Sequence, residues 1–329
     1  MKLAVIGCTG LVGTVILKVI SECKLPISEL ILVASSKSIG KEIKFESNSL
    51  EIESIEMALS KNPEVAIFCA GGEISKKWAP IFSKNGITVI DNSSAWRMDH
   101  QVPLVVPEIN GNSIKKSNKI IANPNCSTIQ MVLALKEIHK RFIIDRIVVS
   151  TYQSVTGTGA AAVKQMMDER NEIESDKVYP HPIDKNCFPH GGDFLPNGYT
   201  TEEIKLVDET RKIFNSPEIK VTATVVRIPV IGGHSMAVNV NTKTPFKIEE
   251  IYDAFEATPG VIIKNDNLNF DYPMPLTAHE RNEVFVGRIR EDNTIENGLN
   301  MWIVADNLRK GAATNAVQIA KYLINNKLV

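Results

Sequence analysis

Over its first 125 positions the chain alternates short, wholly apolar runs with stretches of helical period. The runs are Leu3–Ile6, Leu30–Ala34, Val65–Ala70, Ile87–Ile90 and Ile120–Ala122, rich in Val and Ile. A strand covered on one face alternates apolar and polar residues, whereas an unbroken apolar run suits a parallel strand buried on both. Between the runs, Leu11–Cys23 and Ile74–Ser83 carry apolar residues at helical spacing. This alternation predicts a doubly wound α/β domain with a Rossmann-type parallel sheet.

The pattern changes after Asn125. Ser127–Phe142 reads as one long helix, with Lys136, His139, Lys140 and Arg141 near its end, where cations complement the macrodipole. Longer, alternating strands follow: Ile147–Val155, Ile219–Val230, His234–Thr242, Val284–Arg290 and Leu299–Ala305, interrupted by a helix at Ile248–Thr258. They predict an α+β domain with a mixed or mostly antiparallel sheet. Asp176–Thr200 is dense in Pro, Gly and Asn and reads as a long loop of the kind that carries function. The amphipathic segment Leu308–Asn325 is expected to pack back on the first domain. The division is therefore residues 1–125 with 308–329, and residues 126–307.

Composition narrows the function classes. At 329 residues, 43% hydrophobic and 23% charged, the chain has material for two ordinary globular cores. With 37 basic against 38 acidic residues there is no electrostatic footprint for nucleic acid. The apolar run Leu3–Leu17 is too short to span a membrane, contains glycines, and lacks a small-residue cleavage site. Five widely spaced cysteines without a C-x-x-C pair indicate reduced thiols, and so a cytoplasmic protein.

Gly7-Cys8-Thr9-Gly10-Leu11-Val12-Gly13 follows the first strand and opens the first helix. Glycines there allow a tight turn and close backbone approach, and the helix N-terminus offers N–H groups to a pyrophosphate. Gly7, Thr9, Gly10, Leu11, Val12 and Gly13 are thus candidate dinucleotide contacts. The second strand ends in Ser35-Ser36-Lys37-Ser38, with no carboxylate before Glu42. NAD sites usually place an acid there; Ser35, Lys37 and Ser38 suit a 2′-phosphate, so the expected cofactor is NADP.

Asn123-Pro124-Asn125-Cys126-Ser127-Thr128 lies between a strand and the long helix. Asn125 is a good N-cap, which puts Cys126 in the first helical turn, where the helix field favours a thiolate. Such a thiolate can attack an activated carbonyl. Cys8, Cys23 and Cys69 sit in apolar or glycine contexts and read as packing residues. Arg227 shares strand parity with Val221, Ala223 and Val225, and an inward guanidinium needs an anion, either a buried acid or a substrate carboxylate. His234 shares parity with Met236, Val238 and Val240; it is either a satisfied core histidine or a proton-transfer group. Gln153 is an amide donor or a strand-edge polar residue. His181, Cys187 and His190 lack a fourth ligand and a metal-binding spacing, so no metal is expected.

These motifs resemble those of the aspartate-semialdehyde dehydrogenase family. The matching segments are Gly7–Gly13, Asp91–Met98, Pro107–Asn110, Asn123–Gln130, Thr151–Gly159, Arg227–Ser235, Phe285–Arg290, Met301–Leu308 and Gly311–Ala313, which span nearly the whole chain. The resemblance implies reductive dephosphorylation of L-aspartyl 4-phosphate to L-aspartate 4-semialdehyde with NADPH, through a cysteine thioester. It places the step in lysine (diaminopimelate), threonine, methionine and isoleucine biosynthesis. It further implies Cys126 as nucleophile, His234 as acid/base, and Gln153 orienting the acyl group. Arg227 and Glu202 would hold the amino-acid end, and Arg97 and Lys205 the phosphoryl group. Thr156, Gly157 and Asn307 would contact the cofactor; Thr156 and Thr158 stand where relatives often have Ser and Ala. Residues 126–307 would be the catalytic and dimerisation domain of a homodimer or homotetramer. The alternatives are an N-acetyl-glutamyl-phosphate reductase and a non-catalytic NADP-binding paralogue.

Overall fold

The computed structural model describes residues 1–174 and 176–329, which divide into two compact units: 1–125 with 312–329, and 126–311. The first unit holds strands β1 (Lys2–Ile6), β2 (Glu29–Val33), β3 (Glu42–Phe45), β4 (Asn48–Glu53), β5 (Val65–Phe68), β6 (Thr88–Asp91) and β7 (Ile120–Ala122). They form one sheet in the order β3-β4-β2-β1-β5-β6-β7, parallel throughout except for β3 against β4. The order reverses direction at β1, the switch point where an open α/β sheet leaves a crevice at its strand C-termini. β1, β5 and β6 are buried almost without exception, because helices cover both faces. Leu11–Cys23 and Thr314–Asn325 pack on one face, over Leu3, Val5 and Ile67. Gly72–Lys84 packs on the other, where the Phe82 ring meets both Phe68 and Trp78 edge-on.

The β3–β4 hairpin is absent from the sequence reading. Its strands, EIKF and NSLEIE, are short, largely exposed and charged, as befits a sheet edge that must not template aggregation. The last helix differs too. Rather than one helix from Leu308, a π-helical turn, Arg309–Ala313, precedes Thr314–Asn325.

The second unit holds β8 (Ile144–Ser154), β9 (Lys220–Ile228), β10 (His234–Thr242), β11 (Val261–Ile263), β12 (Val284–Asp292) and β13 (Gly298–Ala305). Their order is β11-β12-β13-β10-β8-β9, with β8–β9 and β11–β12 parallel and the rest antiparallel. Helices Cys126–Phe142, Thr201–Phe214 and Ile248–Glu256 cover one face over a core that includes Met131, Leu206, Phe255, Met236 and Ile303. The opposite face carries half-buried Tyr152 and Trp302, with ring centroids 5.4 Å apart. A further helix, Ala160–Arg170, escaped the sequence reading because its apolar positions form no clear stripe. Among the described residues no helix is long and apolar enough to cross a membrane.

Candidate active site

Two constellations stand out, one in each unit. In the first unit, the Gly7–Gly13 turn joins β1 to Leu11–Cys23. Gly7 has φ +99°, and a Cβ there would lie 2.8 Å from the Cys69 carbonyl group. A Cβ at Gly13 would lie 2.2 Å from the Gly7 carbonyl oxygen, so that glycine brings the helix against the turn. Gly10 is different: its nearest neighbour would be at 3.5 Å, ordinary contact. Gly13→Ala is therefore expected to cost at least about 2 kcal/mol by overpacking, read by denaturant titration. Gly10→Ala should cost about 1 kcal/mol or less, as an N-cap change. A loss of nucleotide affinity in Gly10→Ala would then report the ligand's own approach to that glycine.

A cavity of about 600 Å³ opens beside this turn, lined by Gly7, Thr9, Gly10 and Ser35 among the residues singled out in the sequence. Leu11, Val12, Gly13, Lys37 and Ser38 do not line it; Lys37 is exposed in the turn that follows β2. Ser36, from the same hydroxyl run, lines it too, as do Ser54 and Glu56, which were missed. Ser54 caps a short helix, Ile55–Ser60, accepting from the Met57 N–H at 3.2 Å, and that Ser-x-x cap is a signal the sequence offered. Glu56 is the one carboxylate in the lining among the described residues.

Arg97 lies at the C-terminal edge of the same sheet, nearly buried. Its Nε donates to the Asn123 carbonyl and its Nη2 to the Asn92 carbonyl, both at 2.9 Å. Asn123 is itself held by Asn315, whose amide donates to Asn123 Oδ1 at 2.7 Å and to the Val105 carbonyl at 2.9 Å. Asp91 accepts from Ser93 Oγ at 2.6 Å, and burial raises its pKa above the usual carboxylate range. The result is a preorganised polar ledge at the ends of β6 and β7.

In the second unit, Cys126 is the first residue of its helix. Burial pushes two other thiols up, Cys8 to about 11 and Cys69 to about 12, which leaves both inert at neutral pH. Ser127, next to Cys126, accepts from Gln153 Nε2 at 3.0 Å, which ties the helix start to the end of β8.

Arg227 and His234 meet at the backbone of one residue, Ser154. The Ser154 N–H donates to His234 Nδ1 at 3.1 Å, and Arg227 Nη1 donates to the Ser154 carbonyl at 2.9 Å. The strand parity read from the sequence places both side chains inward, Arg227 6% exposed and His234 fully buried. Gly157 closes the group: a Cβ there would lie 3.0 Å from His234 Nε2 and 3.2 Å from Arg227 Nη1. Because Nδ1 accepts, neutral His234 carries its proton on Nε2, and that atom is buried with no partner among the described residues. Arg227 Nε is likewise unpartnered. A buried guanidinium with an idle donor is the arrangement an anionic ligand completes.

Burial, with the Arg227 guanidinium alongside, drives the His234 pKa from 6.5 down to about 3. As pH falls below about 6.5 the unfolded chain takes up this proton first, so His234 lowers stability progressively between there and about pH 3. His234→Gln should therefore lose less Tm than the wild type on going from pH 7 to pH 4. Parallel thermal melts check this.

The long 176–200 loop, unassigned beyond its length, builds the seat of Arg227. Phe188 forms a two-way backbone bridge with Arg227, and the Tyr179 ring lies 5.9 Å from the guanidinium carbon. Gln165 and Glu169 on the Ala160–Arg170 helix tether the loop by accepting from Val178, Tyr179, Ile183 and Asp184 N–H groups. His181 and His190 pair with aromatic rings, and no cluster of three His, Cys, Asp or Glu forms a metal site among the described residues.

Glu202 and Lys205 form an i,i+3 ion pair at 2.8 Å on Thr201–Phe214. Glu203, which competes for that register in the sequence, is occupied elsewhere. It completes a capping box with Thr200 and accepts from the Val225 N–H at 3.0 Å. Thr156 Oγ1 donates to Asn307 Oδ1 at 3.0 Å, so these two candidates form one buried pair.

Comparison with known proteins identifies the family. Residues 2–117 match the family profile "Semialdehyde dehydrogenase, NAD binding domain", and residues 135–310 match "Semialdehyde dehydrogenase, dimerisation domain". The chain is 49% identical to the aspartate-semialdehyde dehydrogenase of Aquifex aeolicus, covering 100% of this chain and 99% of that one. It is 43% identical to aspartate-semialdehyde dehydrogenase 2 of Vibrio cholerae, covering 99% and 98%. A crystal structure of the Vibrio cholerae enzyme II complexed with ASA superposes with TM-score 0.94 at 44% identity, covering 98% of each chain. With both of its units matched and relatives aligned from end to end, the chain belongs to the aspartate-semialdehyde dehydrogenase family of oxidoreductases.

Proposed function

We propose that the protein reduces L-aspartyl 4-phosphate with NADPH and a proton, giving L-aspartate 4-semialdehyde, phosphate and NADP⁺, in the synthesis of lysine, threonine, methionine and isoleucine. The observation that carries this reading is the Ser154 backbone holding a buried guanidinium and a buried imidazole side by side, with Gln153 linked to the Cys126 helix start.

Cys126 is the nucleophile. Its thiolate attacks the acyl phosphate carbon, the C–S bond forms, and the C–O bond to phosphate breaks to leave a thioester. Gln153 orients the acyl oxygen. Arg227 binds the substrate α-carboxylate, and Glu202 the α-ammonium group. Arg97 and Lys205 neutralise the phosphoryl group. Gly7, Thr9, Gly10, Leu11, Val12 and Gly13 with Ser35, Lys37 and Ser38 would hold the dinucleotide, and Thr156, Gly157 and Asn307 would contact it; when bound it would supply hydride for reduction of the thioester. His234 Nε2–H donates to the resulting oxyanion, as a neutral imidazole does in a site that excludes the imidazolium. Collapse returns the Cys126 thiolate and releases the aldehyde.

The 600 Å³ cavity and the turn where added Cβ atoms at Gly7 and Gly13 would collide support dinucleotide binding. Serines at the end of β2 and exposed Lys37 support NADP, while Glu56 in the lining is the feature that would favour NAD. Lys37→Ala is expected to weaken NADPH about tenfold, as loss of one charge-assisted contact, and to leave NADH unchanged; fluorescence titration with both cofactors distinguishes them. The half-buried Tyr152–Trp302 face supports a homodimer, with sedimentation velocity as its check, and the widely spaced cysteines without a C-x-x-C pair support a reducing, cytoplasmic setting.

The deciding experiment runs the reaction backwards. Purified protein with L-aspartate semialdehyde, phosphate and NADP should show phosphate-dependent absorbance of reduced nicotinamide. A signal only with N-acetyl-glutamate semialdehyde, or only with NAD, would overturn the substrate or the cofactor assignment respectively.

A further inference from the structure

Asp306 ends β13 directly beyond Ala305, the residue paired with His234 across the sheet. Its carboxylate is 2% exposed and fully engaged. Oδ1 accepts from the Leu308 and Arg309 N–H groups at 2.8 and 3.0 Å, and its backbone carbonyl accepts from the Gly311 N–H at 3.1 Å. These bonds shape the π-helical turn. Gly311 in turn sits on the nucleophile: a Cβ there would lie 2.9 Å from Cys126 Cβ. π-helical turns recur where a fold re-aims a functional group.

Oδ2 faces the other way. It pairs with His279 Nδ1 at 3.0 Å and accepts from the Glu280 N–H at 2.7 Å. His279 backs the turn that delivers His234. Gly232 has φ +69°, and a Cβ on it would lie 2.0 Å from His279 Nδ1. At Gly233, φ +78°, a Cβ would lie 2.8 Å from Pro275, at the start of the short helix that leads into His279. A residue that only capped the turn after β13 would have no use for the second oxygen.

We propose that Asp306 is a positioning residue that locks the seat of Cys126, through Gly311, and the turn of His234, through His279, into one geometry. This deepens, and rests on, the assignment of Cys126 and His234 as the reacting pair. His279 is the arm toward His234; the turn from Leu308 to Gly311 is the arm toward Cys126.

The test uses His279→Ala, Asp306→Asn and the double variant in the full-length protein. Readouts are kcat and KM in the phosphate-dependent reverse reaction, Tm, and the rate of Cys126 alkylation by iodoacetamide followed peptide by peptide. His279→Ala is expected to lower kcat about tenfold, and Asp306→Asn by up to about 100-fold, the scale for ångström misplacement of reacting groups. KM should stay near the wild-type value. Cys126 alkylation should slow in Asp306→Asn and remain at the wild-type rate in His279→Ala. The double variant should be no worse than Asp306→Asn alone, because both act through one junction.

Multiplicative losses in the double variant, or unchanged kcat per folded molecule in His279→Ala, would overturn the proposal. Should Asp306→Asn fail to fold, the kcat–KM split of His279→Ala, whose side chain is 41% exposed, decides the matter. Should the wild type show no phosphate-dependent turnover, the functional reading falls instead, and the alkylation rates alone judge the junction.

Discussion

Cys126→Ser is expected to abolish phosphate-dependent turnover, at least about 10⁴-fold below wild type, which is the scale seen when a covalent nucleophile is removed. A serine hydroxyl at a helix N-terminus stays protonated at neutral pH, whereas a thiol there ionises readily. Neither residue next to it takes over as nucleophile: Ser127 is engaged by Gln153, and Gly311 has no side chain. Dinucleotide affinity should remain within about twofold, since the exchange leaves every residue of the Gly7–Gly13 turn and its cavity unchanged. The Gly7–Gly13 turn and its cavity belong to residues of the other unit. Stopped-flow absorbance and cofactor fluorescence give the two halves of the result. Turnover above a hundredth of wild type would show that the chemistry does not pass through Cys126.

Arg227→Met should separate affinity from stability. The guanidinium is buried and its Nε has no partner, so its desolvation is only partly offset by the Ser154 carbonyl. An apolar side chain of similar length removes that cost, and such exchanges are neutral or stabilising by about 1–4 kcal/mol. The same change deletes the partner proposed for the substrate carboxylate. kcat/KM should fall about 10³-fold, the scale for stranding one half of a buried ion pair. Denaturant midpoints and steady-state kinetics on one preparation check both signs. A variant that loses activity and stability together would make Arg227 a structural residue and would sink its role as a substrate clamp.

What could be read in the sequence follows physical lines. The central strands and Leu11–Cys23 were legible because burial on both sheet faces and an amphipathic period each write a strong pattern. The inward aim of Arg227 and His234 was legible from strand parity alone. The β3–β4 hairpin was not, since an edge strand is selected for charge rather than apolarity. Glu202 and Glu203 were ambiguous only until the Thr-x-x-Glu box from Thr200 is recognised, which assigns Glu203 to the cap. Ser54 and Glu56 reach the cavity from a separate β-to-helix crossover, and no local pattern announces such convergence. The contacts of Asp306 likewise depend on two turns meeting after folding.

The Ser154 backbone shared by His234 and Arg227 has a consequence for how substrate length evolves. Its N–H and carbonyl oxygen belong to two rigid amide planes hinged at the Ser154 Cα, so their separation is set by main-chain dihedrals, φ -56° and ψ 148°. On the proposed reading, one end grips the proton donor at the reacting carbon and the other grips the clamp for the far carboxylate. The span between these two ends of the substrate is therefore written into main chain. No side-chain exchange lengthens it. A descendant adapted to a homologue one methylene longer would have to slip the β8–β9 register or insert a residue between Arg227 and His234. Chain-length preference should thus change in jumps that coincide with insertions or deletions, and stay constant across point substitutions.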